Sequence, residues 1–149
     1  MHLAFRVDGL VLALPIGAVI RALPMIDVLP LPETQPFVLG AIDLGGRALP
    51  LIDMKRYLGR GDTAIAPDLT IVVVDLGARR VGLVVEAVLG VRAIDPGSAV
   101  AAPEIAPGAR RLGGVGRIGA DLMLIYDPRT FLTGDEQAAI AAALAEVAP

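Results

Sequence analysis

The sequence predicts an all-β protein built from two small barrels, closed by one terminal helix. Three observations carry that prediction. The apolar runs are about five residues long and β-branched, which is strand length; Gly, Pro and Asp separate them at hairpin spacing; and the two halves of the chain repeat one another.

The strands read in order. Leu10-Val11-Leu12-Ala13-Leu14, Ala48-Leu49-Pro50-Leu51-Ile52, Thr70-Ile71-Val72-Val73-Val74, Val81-Gly82-Leu83-Val84-Val85 and Leu122-Met123-Leu124-Ile125-Tyr126 are the apolar runs. Asp8-Gly9, Gly45-Gly46 and Leu76-Gly77 are the turns, each supplying residues that tolerate positive φ. Segments 60–67 and 95–107, rich in Gly, Pro and Ala, read as loops. At the end, Thr133 and Glu136 have capping-box spacing, and Ile140, Leu144 and Val147 recur at i, i+4, i+7, so a helix is expected over 134–147.

The repeat has two parts. The segment from Gly40 through Asp53, continuing to Tyr57-Leu58, aligns with Gly114 through Asp127 and Phe131-Leu132 at an offset of 74. Ala13 through Val19 aligns with Gly82 through Val88 at an offset of 69. Each half then reads as hairpin, connector, hairpin, enough for a barrel that closes its own edges. The expected organisation is a single domain over 1–149, with a first barrel repeat at 10–60 and a second at 70–132.

Composition narrows function. Of the 149 residues, 55% are hydrophobic, ample for a core. The net charge is −3, with basic residues scattered singly or in pairs such as Arg79-Arg80 and Arg110-Arg111, so no nucleic-acid surface is expected. With no cysteine there is no disulfide or thiolate, and a reducing compartment is the simplest expectation. The opening Met1-His2-Leu3-Ala4-Phe5-Arg6 lacks signal-peptide order, and charges interrupt the apolar stretches before any reaches membrane-spanning length; a soluble, cytoplasmic protein without membrane insertion is expected.

In this order and spacing, the segments over roughly 3–147 resemble the CheW-like chemotaxis coupling family. Phe5-Arg6-Val7-Asp8-Gly9 is similar to the family's first strand and turn, followed by Ala13-Leu14-Pro15-Ile16 and Val19. Val38 through Gly46 and Leu49-Pro50-Leu51-Ile52-Asp53 resemble its Gly-x-x-Asn-Leu-Arg-Gly turn and Pro-x-x-Asp strand. Val81 through Val88, Leu112-Gly113-Gly114-Val115 and Leu124-Ile125-Tyr126-Asp127 complete the resemblance. It implies two SH3-like five-stranded β-barrels related by an internal duplication, with a C-terminal α-helix. It further implies a stand-alone, non-enzymatic adaptor with no cofactor or metal, bridging the regulatory domain of a CheA-type histidine kinase and the cytoplasmic tip of a methyl-accepting chemoreceptor. By the same resemblance Ile16, Val19, Asp43, Gly45, Arg47 and Val88 are receptor-side residues, and Leu39 and Gly40 kinase-side.

Two departures stand out. Asp43 replaces the family's Asn, and Gly45 replaces its Arg, so a guanidinium that could make bidentate contacts is missing. Arg47 lies two residues on; in a strand it would point to the same face and so could substitute. A CheW-like protein with altered partners, pilus-type or kinase-inhibiting, is therefore an alternative.

Several single residues admit a sharper and a plainer reading. Asp53 and Asp127, equivalent in the repeat, suggest a two-carboxylate hydrolase; neither is followed by Thr-Gly or Ser-Gly, and both read as caps of the next turn. His2, the sole histidine, is expected to be exposed and idle. Gly45-Gly46 lacks the Lys-Ser or Lys-Thr of a phosphate loop and reads as a hairpin turn. Glu86 is either a hydrogen-bonded rim carboxylate or a water-facing side chain. Ile16, Val19 and Val88 line a groove or belong to the core.

Overall fold

The structure is a computed structural model and describes residues 1–93, 112–118 and 121–147. β1 (His2–Val7) and β2 (Leu10–Pro15) form a hairpin, and a 3-10 turn at Ile16–Ala18 leads to β3 (Val19–Pro24). β4 (Val38–Leu44) and β5 (Arg47–Asp53) run into a one-turn helix α1 (Met54–Tyr57), then β6 (Thr70–Asp75), β7 (Arg80–Val85) and β8 (Ala87–Arg92). β9 (Leu112–Ile118), β10 (Asp121–Tyr126), a 3-10 turn at Pro128–Thr130 and α2 (Gly134–Val147) complete the described chain. Segment 60–67 has neither helix nor strand. Segment 95–107 and residues 119–120 lie outside the described residues.

The strands form two five-stranded sheets, ordered β8-β1-β2-β10-β9 and β3-β6-β7-β5-β4. Replacing β3, β4, β5, β6 and β7 by β8, β9, β10, β1 and β2 turns the second order into the first. The registers agree residue by residue. Leu51 pairs with Gly82 as Ile125 pairs with Ala13, in the parallel contact of each sheet; Val19 pairs with Val74 as Val88 pairs with Phe5; Gly40 pairs with Leu51 as Gly114 pairs with Ile125. Even the register shifts recur at matching places, between Val38 and Gly40 and between Ile125 and Tyr126 of their respective pairs. The two SH3-like barrels are an internal duplication.

The barrel boundaries need correction. Strands β3 to β7 make one barrel from a continuous segment, whereas β1 and β2 join β8 to β10 in the other, so neither 10–60 nor 70–132 is a barrel. The physical reason lies in the connectors. Three residues, Ile16–Ala18, link β2 to β3, and Glu86 alone links β7 to β8; at both points the chain turns a corner into the other sheet. A local repeat shows which segments are alike, but hydrogen bonding between distant strands decides which ones pair.

Alternation on the four central strands places the core. Leu3, Phe5, Leu12, Leu14, Val72, Val74, Val81, Leu83 and Val85 meet in one cluster between the sheets. Their neighbours Ile71, Val73 and Val84 fill the interior of the second barrel, and Ala4 and Ala13 that of the first. Of these, β2, β6 and β7 are covered on both faces, which is why they read as unbroken apolar runs, while β1 is interrupted by exposed Arg6. Aromatics from the two halves join there. Tyr57 stacks on Phe131 with ring centroids 4.3 Å apart, and its hydroxyl donates to the Phe131 carbonyl at 2.7 Å.

The helix forms as expected. Glu136 N donates to Thr133 Oγ1 at 3.2 Å while Thr133 N donates to Glu136 Oε1 at 2.8 Å, the reciprocal capping box. Ile140 and Leu144 face the inter-barrel cluster; the Val147 side chain lies outside the described residues.

Candidate functional site

Asp43, Gly45 and Arg47 lie on one hairpin at the end of the second barrel. Leu44 pairs with Arg47 across a two-residue turn, with φ of 62° at Gly45 and 87° at Gly46. Positive φ at both positions matches the turn type that suits strand twist, and it is the reason for two glycines. Asp43 Oδ1 accepts from Gly46 N at 2.8 Å, so the carboxylate ties its own turn.

The β6–β7 hairpin stands beside it. Asp75 pairs with Arg80, Leu76 N donates to the Arg79 carbonyl at 2.9 Å, and Asp75 Oδ1 accepts from Gly77 N at 2.8 Å. Between the two hairpins runs a groove of about 480 Å³ lined by Leu44, Arg47, Pro50, Asp75, Arg79 and Arg80. Val19 pairs with Val74, one residue from Asp75, so it belongs to the same end of the barrel.

The other receptor-side residues divide. Ile16 is 41% exposed on the corner between barrels. Val19 and Val88 hold equivalent positions on the two barrels, half-buried and packed against the inter-barrel cluster, so each has one side in the core and one at the surface. Glu86 resolves in both senses at once: it is exposed and accepts a hydrogen bond from Asp8 N.

Leu39 and Gly40 lie toward the opposite end of β4. Leu39 is the bulged residue and packs on the second barrel's interior. Gly40 is buried with φ of 151°, and a Cβ there would come within 2.5 Å of the Leu29 carbonyl. Leu29 exchanges backbone hydrogen bonds with Ala41 at 2.7 and 2.8 Å, so a strap through 28–29 covers Gly40. Five residues of strand, about 17 Å, separate Leu39 from the turn at Leu44.

Asp53 and Asp127 are caps. Asp53 accepts from Thr63 Oγ1 at 2.6 Å, Thr63 N at 3.1 Å and Arg56 N at 3.5 Å, at the N-terminus of α1. Asp127 accepts from Arg129 N at 2.9 Å and Arg129 Nη2 at 3.0 Å at the next turn. The Arg129 guanidinium, hydrogen-bonded to the Asp127 carboxyl, holds it below the ordinary carboxylate range. His2 departs from expectation, being half-buried in β1, where burial lowers its pKa. Among the described residues no three His, Cys, Asp or Glu side chains are grouped to hold a metal, and no helix is long and apolar enough to cross a membrane.

Sequence reasoning missed the groove's Arg79 and Arg80. The doublet was legible as a charge pair, but its apposition to Arg47 depends on the parallel pairing of β5 with β7.

Residues 2–136 match the CheW-like domain family. Protein FrzA of Myxococcus xanthus is 36% identical over 90 residues, covering 60% of this chain and 56% of its own length. Chemotaxis protein CheW of Klebsiella aerogenes is 26% identical over 110 residues, 72% of this chain and 66% of its own; that of Rhizobium meliloti is 31% identical over 104 residues, 70% and 67%. The match thus spans less than two thirds of the first two relatives. The crystal structure of scaffolding protein TtCheW from Thermoanaerobacter tengcongensis agrees with a TM-score of 0.75 at 26% identity, covering 83% of this chain and 86% of that one.

Proposed function

Because the chain belongs to the CheW-like domain family, we propose that it is a non-catalytic coupling protein of a chemotaxis-type pathway, acting in the cytoplasm. It holds the regulatory domain of a CheA-type histidine kinase beside the cytoplasmic tip of a methyl-accepting chemoreceptor. The observation that carries this reading is the family match over 2–136, together with duplicated barrels whose conspicuous carboxylates are spent on capping turns.

The geometry supports two separate faces. The receptor side comprises Asp43, Gly45 and Arg47 on the β4–β5 hairpin, with Ile16, Val19 and Val88 at the barrel junction. The kinase side lies around Leu39, with Gly40 acting from beneath by letting the 28–29 strap close over it. A specific observation keeps a second reading, a CheW-like protein serving a pilus-type or kinase-inhibiting pathway. Where the family's turn carries Arg, this turn carries Gly45 at positive φ.

Reconstitution tests both. Purified chain, kinase regulatory domain and receptor-tip fragment from the same source are mixed pairwise and together. A ternary complex whose kinase arm weakens with Leu39→Asp and whose receptor arm weakens with Val19→Asp is expected. Kinase binding without any receptor binding selects the second reading, and binding of neither removes both.

A further inference from the structure

We propose that the groove across the end of the second barrel binds a carboxylate-bearing segment of a partner protein through Arg47, Arg79 and Arg80. The inference deepens the receptor-side reading and rests on it for the partner's identity. Arg47 opens β5, Arg79 and Arg80 close the neighbouring hairpin, and all three line the same groove of about 480 Å³. None of them forms an ion pair among the described residues, where the pairs join Asp8, Asp62 and Asp127 to other cations. Among the described residues Asp75 is the single acid on the groove wall, so three of their positive charges face one negative. Arg79 Nε is buried without a hydrogen-bond partner, in a guanidinium whose planar fork matches a carboxylate.

The duplication supplies an internal control. By the two offsets, Leu10 and Val11 stand in the first barrel where Arg79 and Arg80 stand in the second, and Asp121 stands where Arg47 does. The hairpins pair in the same register in both barrels. The fold therefore does not require these arginines, and an anion from outside accounts for a like-charge cluster that repels itself.

The groove's chemistry favours a protein segment over a free phosphate. The turn amides that would cradle phosphate are already donated, Gly46 N to Asp43 and Gly77 N to Asp75. Leu44 and Pro50 lie beside the charges, which suits a Glu or Asp side chain carrying an apolar stem and a charged head.

The test replaces the doublet with the first barrel's own residues, Arg79→Leu with Arg80→Val. Wild type and variant are titrated with the receptor-tip fragment, the kinase regulatory domain, and a twelve-residue glutamate-rich peptide followed by amide shifts. Peptide binding that weakens with salt, a loss of about tenfold for peptide and receptor in the variant, and unchanged kinase binding are expected. A variant that binds receptor and peptide like wild type overturns the inference while leaving the coupling reading intact. If the wild type binds neither kinase nor receptor, the coupling reading falls and the peptide decides the groove alone. Inorganic phosphate shifting the same resonances as strongly as the peptide overturns the protein-segment assignment. Arg47→Gln, an exposed change, provides the same comparison should the double variant not fold.

Discussion

Gly45 concentrates the residue-scale argument, because it stands where the family's turn carries a guanidinium. Its φ is 62° and a Cβ there would meet no heavy atom within 4 Å, so the obstacle to a side chain is backbone strain and not space. Gly45→Arg is expected to cost about 1–2 kcal/mol in the left-handed region, read as a lower melting temperature, while shifting receptor affinity in whichever direction the added charge acts. An unchanged melting temperature would show that the turn relaxes. Asp53 and Asp127 make a contrasting pair. Substituting both by Asn should leave partner binding intact and lower stability by about 1–2 kcal/mol, most of it from buried Asp53 losing charged acceptance from Thr63 and Arg56. The measurement is a denaturant titration beside a binding titration; lost binding at unchanged stability would return these carboxylates to function.

At the scale of elements, the two barrels are tied together at the first hairpin. Asp8, itself at φ 49°, accepts from Arg60 Nε at 2.6 Å and lies 4.0 Å from Lys55, both beyond the β5–α1 junction, while its own N–H reaches Glu86. The Arg60 hydrogen bond, ahead of the charges of Arg60 and Lys55, holds the Asp8 carboxyl below its ordinary 3.8. A carboxyl lowered in the folded state contributes stability that is present above that ordinary value and is lost as pH falls through the lowered one. Asp8→Asn should therefore flatten the acid side of the stability profile below about pH 4 and leave its shape at neutral pH unchanged. The contact is exposed and salt-screened, so the effect should shrink in 1 M salt, about a 3 Å screening length. An acid limb identical to that of wild type would remove the clasp from the account.

For the whole molecule, the decisive feature is that the largest core lies between the barrels and not inside either. Tyr57, Phe131 and Tyr126 meet there edge-on or stacked, and Tyr57 and Phe131 are partners in the duplication. Burial without a partner for its hydroxyl pushes Tyr126 up to about 12. Neither barrel can keep this surface dry alone, so unfolding should be one cooperative transition. Phe131→Ala should lower stability by about 3–5 kcal/mol and move near-ultraviolet and far-ultraviolet melting curves together. Two separated transitions would mean that the barrels are independent units.

Local sequence was enough to mark five of the ten described strands, the turns, the capped helix and the duplication, because each rests on residues close in the chain: β-branched runs, positive-φ glycines, Thr133 with Glu136. It also marked Asp43, Gly45 and Arg47 as neighbours, since one hairpin carries all three. Tertiary structure alone decided which strands share a barrel. The first and last strands of the described chain join one sheet through a parallel contact between β2 and β10, and no local pattern encodes a partner more than a hundred residues away. For the same reason only the fold could set Arg79 and Arg80 against Arg47, or bury Gly40 beneath the strap at Leu29. Periodicity shows which face of a strand is apolar, but hydrogen bonds and packing between distant segments choose what that face meets.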